Sequence, residues 1–171
     1  VYDNSPDGTS YEIKNFIKNS SKIQLIHRLG RRGLSGAIIE GIFAARSELV
    51  AVMDCDLQHD ETKLRDMLEL FSKDASLDIV IGSRFTADGE ISSNAFSKMR
   101  KLGSKVTTFL IKKLLRIKST DPLSGFFMVK KESFLKNSDK LQTQGFKVLE
   151  DFLETSGTSI EIKEVGYSFK N

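Results

Sequence analysis

Two carboxylates one residue apart, Asp54 and Asp56, follow the apolar run Leu49-Val50-Ala51-Val52-Met53, and Gln58 and His59 follow after Leu57. Oxygen ligands of this kind suit a hard divalent cation, Mg²⁺ or Mn²⁺, and a cation at the carboxyl end of a buried strand suits the phosphates of a nucleotide. Cys55, between the aspartates, is read as packing, because alternate side chains at a strand end face opposite ways. His59 has two readings, a contact to a diphosphate or a buried histidine with its partners satisfied; His27 is given no role.

Three further groups carry chemistry. Gly30-Arg31-Arg32-Gly33-Leu34-Ser35-Gly36 has the order G-x-x-G-x-x-G, which is not the dinucleotide fingerprint, yet a glycine-rich helix start at Gly33 offers backbone N–H groups to a phosphate or a base edge. Arg84 follows the run Asp78 to Gly82, where its plain reading is a surface ion pair. Asp121, before Pro122, reads from its position as a turn or helix cap. No Ser/His/Asp or Cys/His set for nucleophilic catalysis is visible.

These groups need a scaffold. Short β-branched apolar runs alternate with helical ones, which predicts an α/β fold with a mostly parallel central sheet flanked by helices. Strands are expected over Ile23 to His27, Leu49 to Met53 and Asp78 to Gly82, with shorter ones at Phe126 to Lys130 and Ile160 to Val165. Helices are expected over Ser10 to Asn19, Gly33 to Ala45, Thr62 to Ser72, Ala95 to Ile117 and Phe146 to Thr155. Val1-Tyr2-Asp3 reads as the end of a strand whose beginning is absent, followed by the turn signals Pro6, Asp7 and Gly8.

At 171 residues, 39% hydrophobic and 29% charged, the chain has the size and composition of one globular domain. The single cysteine excludes an internal disulfide and favours a reduced, cytosolic setting. Residues 91–120 carry eight cations, among them Arg100, Lys101, Lys105, Lys112 and Arg116, and no acid, so the net +3 leaves the remainder at −5. Such a segment points to a local anionic partner, whereas a nucleic-acid binder would be basic throughout. Leu102, Val106, Phe109, Leu110, Leu114 and Ile117 recur at helical spacing beside those cations, as in a core-packed surface helix or one lying on an anionic membrane surface. The longest apolar run is too short to cross a bilayer.

Several separated motifs resemble, in their order, those of the family 2 glycosyltransferases, most closely the members that act on dolichol phosphate and polyprenyl phosphates. They are Val1 to Thr9, Gly33-Leu34-Ser35-Gly36-Ala37, Met53 to His59, Gly82-Ser83-Arg84-Phe85 and Asp121 to Phe127, with Gly145-Phe146-Lys147 and Glu164-Val165-Gly166-Tyr167 extending the likeness to the end of the chain. The resemblance implies a nucleotide-diphospho-sugar transferase (GT-A type) fold, forming one catalytic domain over 1–171 that is truncated at both ends and weakly stable or inactive alone. It also implies an inverting transfer of a sugar, mannose from GDP-mannose before glucose from a uracil nucleotide, to a polyprenyl phosphate at the cytosolic membrane face. By the same likeness Asp3 holds the nucleotide base, and Asp54, Asp56 and Gln58 bind the metal and the donor diphosphate. Arg84, Arg100 and Ser104 receive the acceptor phosphate, while Asp121 lies near the sugar. The alternatives are a related transferase with a soluble or protein acceptor, an inactive nucleotide-sugar-binding module, and, more distantly, a haloacid-dehalogenase-type phosphatase. That last family carries Thr or Val where Gln58 stands.

Overall fold

The structure is a computed structural model that describes residues 1–4, 6–18, 20–30, 33–86 and 119–168. The expected basic helix over Ala95 to Ile117, with Arg100 and Ser104, lies outside the described residues. Two compact units form, Val1–Arg46 with Gln142–Val148, and Ser47–Leu141 with Leu149–Asn171.

In the first unit, Tyr2 and His27 make a single parallel bridge where a strand over Ile23 to His27 was expected. Helix α1 (Thr9–Ile17) starts where Asp7 Oδ1 accepts the Thr9 N–H at 3.0 Å, an Asx turn that opens the first turn of the helix. Helix α2 (Leu34–Ala44) begins after Gly33, whose φ of 118° is a conformation that only glycine adopts without strain.

The second unit is built on four strands, β1 (Leu49–Val52), β2 (Ile79–Ser83), β3 (Phe127–Lys130) and β4 (Ile162–Gly166), in the order β1-β3-β2-β4. β1 and β2 both pair antiparallel with β3, aligning Val52 and Ile81 with Phe127, and β4 pairs parallel with β2, aligning Ser83 with Gly166. Three of the four strands therefore point the same way, as the alternating pattern predicts, but β3 runs against them and the sheet is mixed. β2, the unbroken apolar run, is buried at every position, as a central strand must be, while β1 and β4 are part-exposed edges.

Helix α3 (Lys63–Lys73) covers one face of this sheet. Its Met67 and Phe71 pack with Leu77, Val80, Phe126, Met128 and Tyr167 into the main apolar cluster. Ile79, Ile81, Phe127 and Val129 point the other way along the same strands and are equally buried. Short helix α4 (Lys131–Leu135) follows β3 directly, and its Phe134 stacks on Phe152 of α5 (Val148–Ser156) with ring centroids 5.2 Å apart. Among the described residues no helix is long and apolar enough to cross a membrane.

Candidate active site

The strand directions bring one set of side chains to one edge of the sheet. β1, β2 and β4 end there and β3 begins there, so Asp54, Arg84, Tyr167 and the segment Asp121–Phe126 meet although they lie far apart in sequence. This is the edge at which open α/β sheets bind ligands.

After β1 the chain leaves extended geometry. Leu57 takes a left-handed backbone, φ 64°, with its side chain exposed, and Asp56 Oδ1 accepts the Gln58 N–H at 3.0 Å to close the turn. That turn breaks the strand alternation, so Cys55 is exposed rather than packed. Asp54 sits at the base of the turn with its side chain 41% exposed, and its Oδ2 lies 3.3 Å from Nε2 of the buried His59. Nδ1 of the same ring is 2.9 Å from the Tyr167 hydroxyl. On its other side Asp54 meets Gly125, where a Cβ would fall 2.6 Å from Oδ2, so any larger residue displaces the carboxylate.

Arg84 and Asp121 form a second pair. Nε of Arg84 donates to Asp121 Oδ2 at 2.8 Å and Nη2 donates to Oδ1 at 2.9 Å, a two-point contact to a carboxylate that is 2% exposed. That carboxylate raises the Arg84 pKa, and the guanidinium also lies 5.5 Å over the Phe85 ring. The segment before Asp121 is pinned by Glu164 of β4, which accepts hydrogen bonds from the Ser119 hydroxyl at 2.7 Å and from the Thr120 N–H.

In the first unit Asp3 and Gly33, thirty residues apart, are joined. Asp3 Oδ2 accepts the Gly33 N–H at 3.1 Å, and Oδ1 accepts Nη1 of Arg28 at 2.7 Å. Arg28 is buried and its Nε is 3.3 Å from Glu40 Oε1, so two acids flank one buried guanidinium. Sequence reasoning passed over Arg28; its signal was an arginine directly after the strand expected over Ile23 to His27.

Asp54, Asp56 and Gln58 thus share one loop, and Arg84 and Asp121 share one contact. Among the described residues no three His, Cys, Asp or Glu side chains are grouped as a ready-made cation cage. A part-exposed Asp54 and an exposed Asp56 on a short turn fit Mg²⁺ or Mn²⁺ all the same, because such ions are commonly held by one or two carboxylates together with substrate phosphates.

The sequence model described as Glycosyl transferase family 2 matches residues 1–137. The chain belongs to that family. A dolichol-phosphate mannosyltransferase of Mycosarcoma maydis is 32% identical over 99% of this chain and 56% of its own length. A second protein of that name, from Pyrococcus furiosus, is 34% identical over 99% of this chain and 46% of its own length. The chain therefore spans about half the length of the curated relatives it matches. Among solved structures, glucosyl-3-phosphoglycerate synthase of Mycobacterium tuberculosis with Mg²⁺ and uridine diphosphate superposes with a TM-score of 0.66 at 17% identity, over 99% of this chain and 58% of that one. Such a likeness establishes the fold, and it is the GT-A type expected from the family 2 motifs.

Proposed function

We propose that this chain carries catalytic machinery of a metal-dependent glycosyltransferase that moves mannose from GDP-mannose to the phosphate of a dolichyl or other polyprenyl chain, at the cytosolic membrane face. The observation that carries the reading is the shared name of the two relatives, each aligned over 99% of this chain at about one third identity. The sheet-edge carboxylates supply chemistry that agrees with it.

The roles follow from the residues. Asp3, with the Gly33 backbone beside it, is assigned to the nucleotide base. Asp54 and Asp56 are assigned to the cation, with Gln58 on the same turn. When bound, a divalent cation there neutralises charge on a departing nucleoside diphosphate. A lipid phosphate carries about −1.5 to −2 charge at pH 7, so it is already a nucleophile and needs no strong base. One of its oxygens attacks the anomeric carbon as the bond to the diphosphate oxygen breaks on the opposite face, which inverts the configuration. Arg84 and Arg100, with Ser104, are assigned to aligning that phosphate, since positioning and charge are what the step requires. Asp121, whose two oxygens are both engaged by Arg84, is assigned to holding the guanidinium in place.

The test is calorimetric titration with GDP-mannose and with UDP-glucose, with and without Mn²⁺, using Asp56→Ala as control, followed by radiolabelled transfer to dolichyl phosphate. Mn²⁺-dependent binding of GDP-mannose, lost in the variant, with label entering the lipid, is the expected result. Binding of UDP-glucose alone would replace the donor, and label appearing only in soluble acceptors would overturn the lipid assignment.

A further inference from the structure

Behind the Asp54 carboxylate lies a run of buried polar groups to which the proposed transfer gives no part. His59 and Tyr167, 108 residues apart, are 5% and 1% exposed, and their contact at 2.9 Å continues through the imidazole to Asp54 Oδ2 at 3.3 Å. The ring of Phe126 packs against both, with its centroid 5.3 Å from His59 and 5.4 Å, edge on, from Tyr167. Burying an imidazole is costly unless its nitrogens are partnered, and here both are.

The partners fix the direction of the hydrogen bonds. A carboxylate only accepts, so Nε2 carries the hydrogen that faces Asp54. With that hydrogen on Nε2, Nδ1 is the nitrogen left to take a hydrogen bond from the tyrosine hydroxyl, 2.9 Å away. Burial pushes the Tyr167 phenol up to about 12, so it keeps its proton and stays a donor. Gly125 closes the other side of the same Asp54 oxygen.

We propose that Tyr167 and His59 are positioning residues, a hydroxyl-to-imidazole-to-carboxylate relay that fixes Asp54 through Oδ2 and presents Oδ1 to the divalent cation. The inference rests on the metal reading above. It adds that the carboxylate is preorganised by a histidine and a tyrosine that touch neither cation nor substrate. Outer partners of this kind commonly govern metal affinity as strongly as the ligands themselves.

The experiment measures free Mn²⁺ by electron paramagnetic resonance during titration of the protein with Mn²⁺ alone, beside the melting temperature of each metal-free variant. Tyr167→Phe, which keeps the ring and removes the hydroxyl, and His59→Leu are expected to weaken Mn²⁺ binding by about 10- to 100-fold. His59→Gln, which keeps an N–H for Asp54, is expected to stay within about threefold of the unmodified protein. A purely structural role would lower the melting temperature without separating Gln from Leu. The relay is overturned if Tyr167→Phe folds and binds Mn²⁺ as tightly as the unmodified protein, or if His59→Gln is as weak as His59→Leu. Asp54→Ala separates the two levels: unchanged binding in that variant would remove the metal assignment itself, and the relay with it.

Discussion

The contact between Arg84 and Asp121 shows how much one pair can constrain a site. Asp121 is almost fully buried and both its oxygens are taken by the guanidinium of Arg84, whose side chain is 32% exposed. Removing the arginine leaves a buried charge without compensation, whereas removing both partners does not. Arg84→Ala is therefore expected to cost about 3 kcal/mol in urea unfolding, and the Arg84→Ala/Asp121→Ala double variant to recover a large part of it. A single variant as stable as the parent would show that water replaces the arginine and that Asp121 is not held by it. Gly125 sets a comparable constraint on Asp54. Gly125→Ala would place a methyl carbon 2.6 Å from Oδ2, so Mn²⁺ affinity is expected to fall while the melting temperature stays near that of the parent. Unaltered affinity would mean that the carboxylate has room to turn.

Among the secondary elements, the site exists because three strands end where one begins, and that arrangement was only partly legible. The apolar runs of β1 and β2 and the amphipathic period of α3 are strong signals, and the structure places all three within a residue or two of expectation. The direction of β3 was not legible, because Phe-Met-Val-Lys reads the same in a parallel and an antiparallel strand; its pairing is decided by the partners on either side. Cys55 was misjudged for a related reason, since alternation holds only while the backbone is extended and Leu57 turns left-handed two residues on. The link between α3 and β4 carries its own prediction. Lys163 of β4 donates to Asp74 Oδ2 at 2.7 Å just past the end of α3, and with the Ser76 hydroxyl on Oδ1 it holds the Asp74 carboxyl at about 2, below the ordinary 3.8. A depressed carboxyl pKa stabilises the folded state above the unfolded value and loses that contribution as pH falls through the folded one. Asp74→Asn should therefore unfold at lower urea than the parent at pH 7, and the two midpoints should converge as the pH is taken from about 4 towards 2. Midpoints that stay equally separated over that range would mean that the difference is packing rather than charge.

For the whole molecule the governing feature is charge asymmetry, eight cations and no acid in residues 91–120 against −5 on the remainder. The lipid acceptor proposed above would be reached from a membrane surface, and each Lys or Arg close to an anionic leaflet contributes about 1 kcal/mol to binding there. The acidic remainder is repelled by the same surface, so attraction is confined to the basic segment and fades beyond a Debye length, about 8 Å at physiological salt. The protein is therefore expected to sediment with phosphatidylserine vesicles at about 50 mM salt, to be released at about 0.5 M, and to ignore neutral vesicles at both. Replacing Lys101, Lys105, Lys112 and Lys113 by Glu changes the charge of the segment from +8 to 0 and should abolish binding without touching the carboxylates at the sheet edge. Binding that survives both salt and these substitutions would place the attachment elsewhere. Loss of vesicle binding with transfer to detergent-dispersed dolichyl phosphate intact would separate the proposed membrane-binding segment from the proposed transfer site.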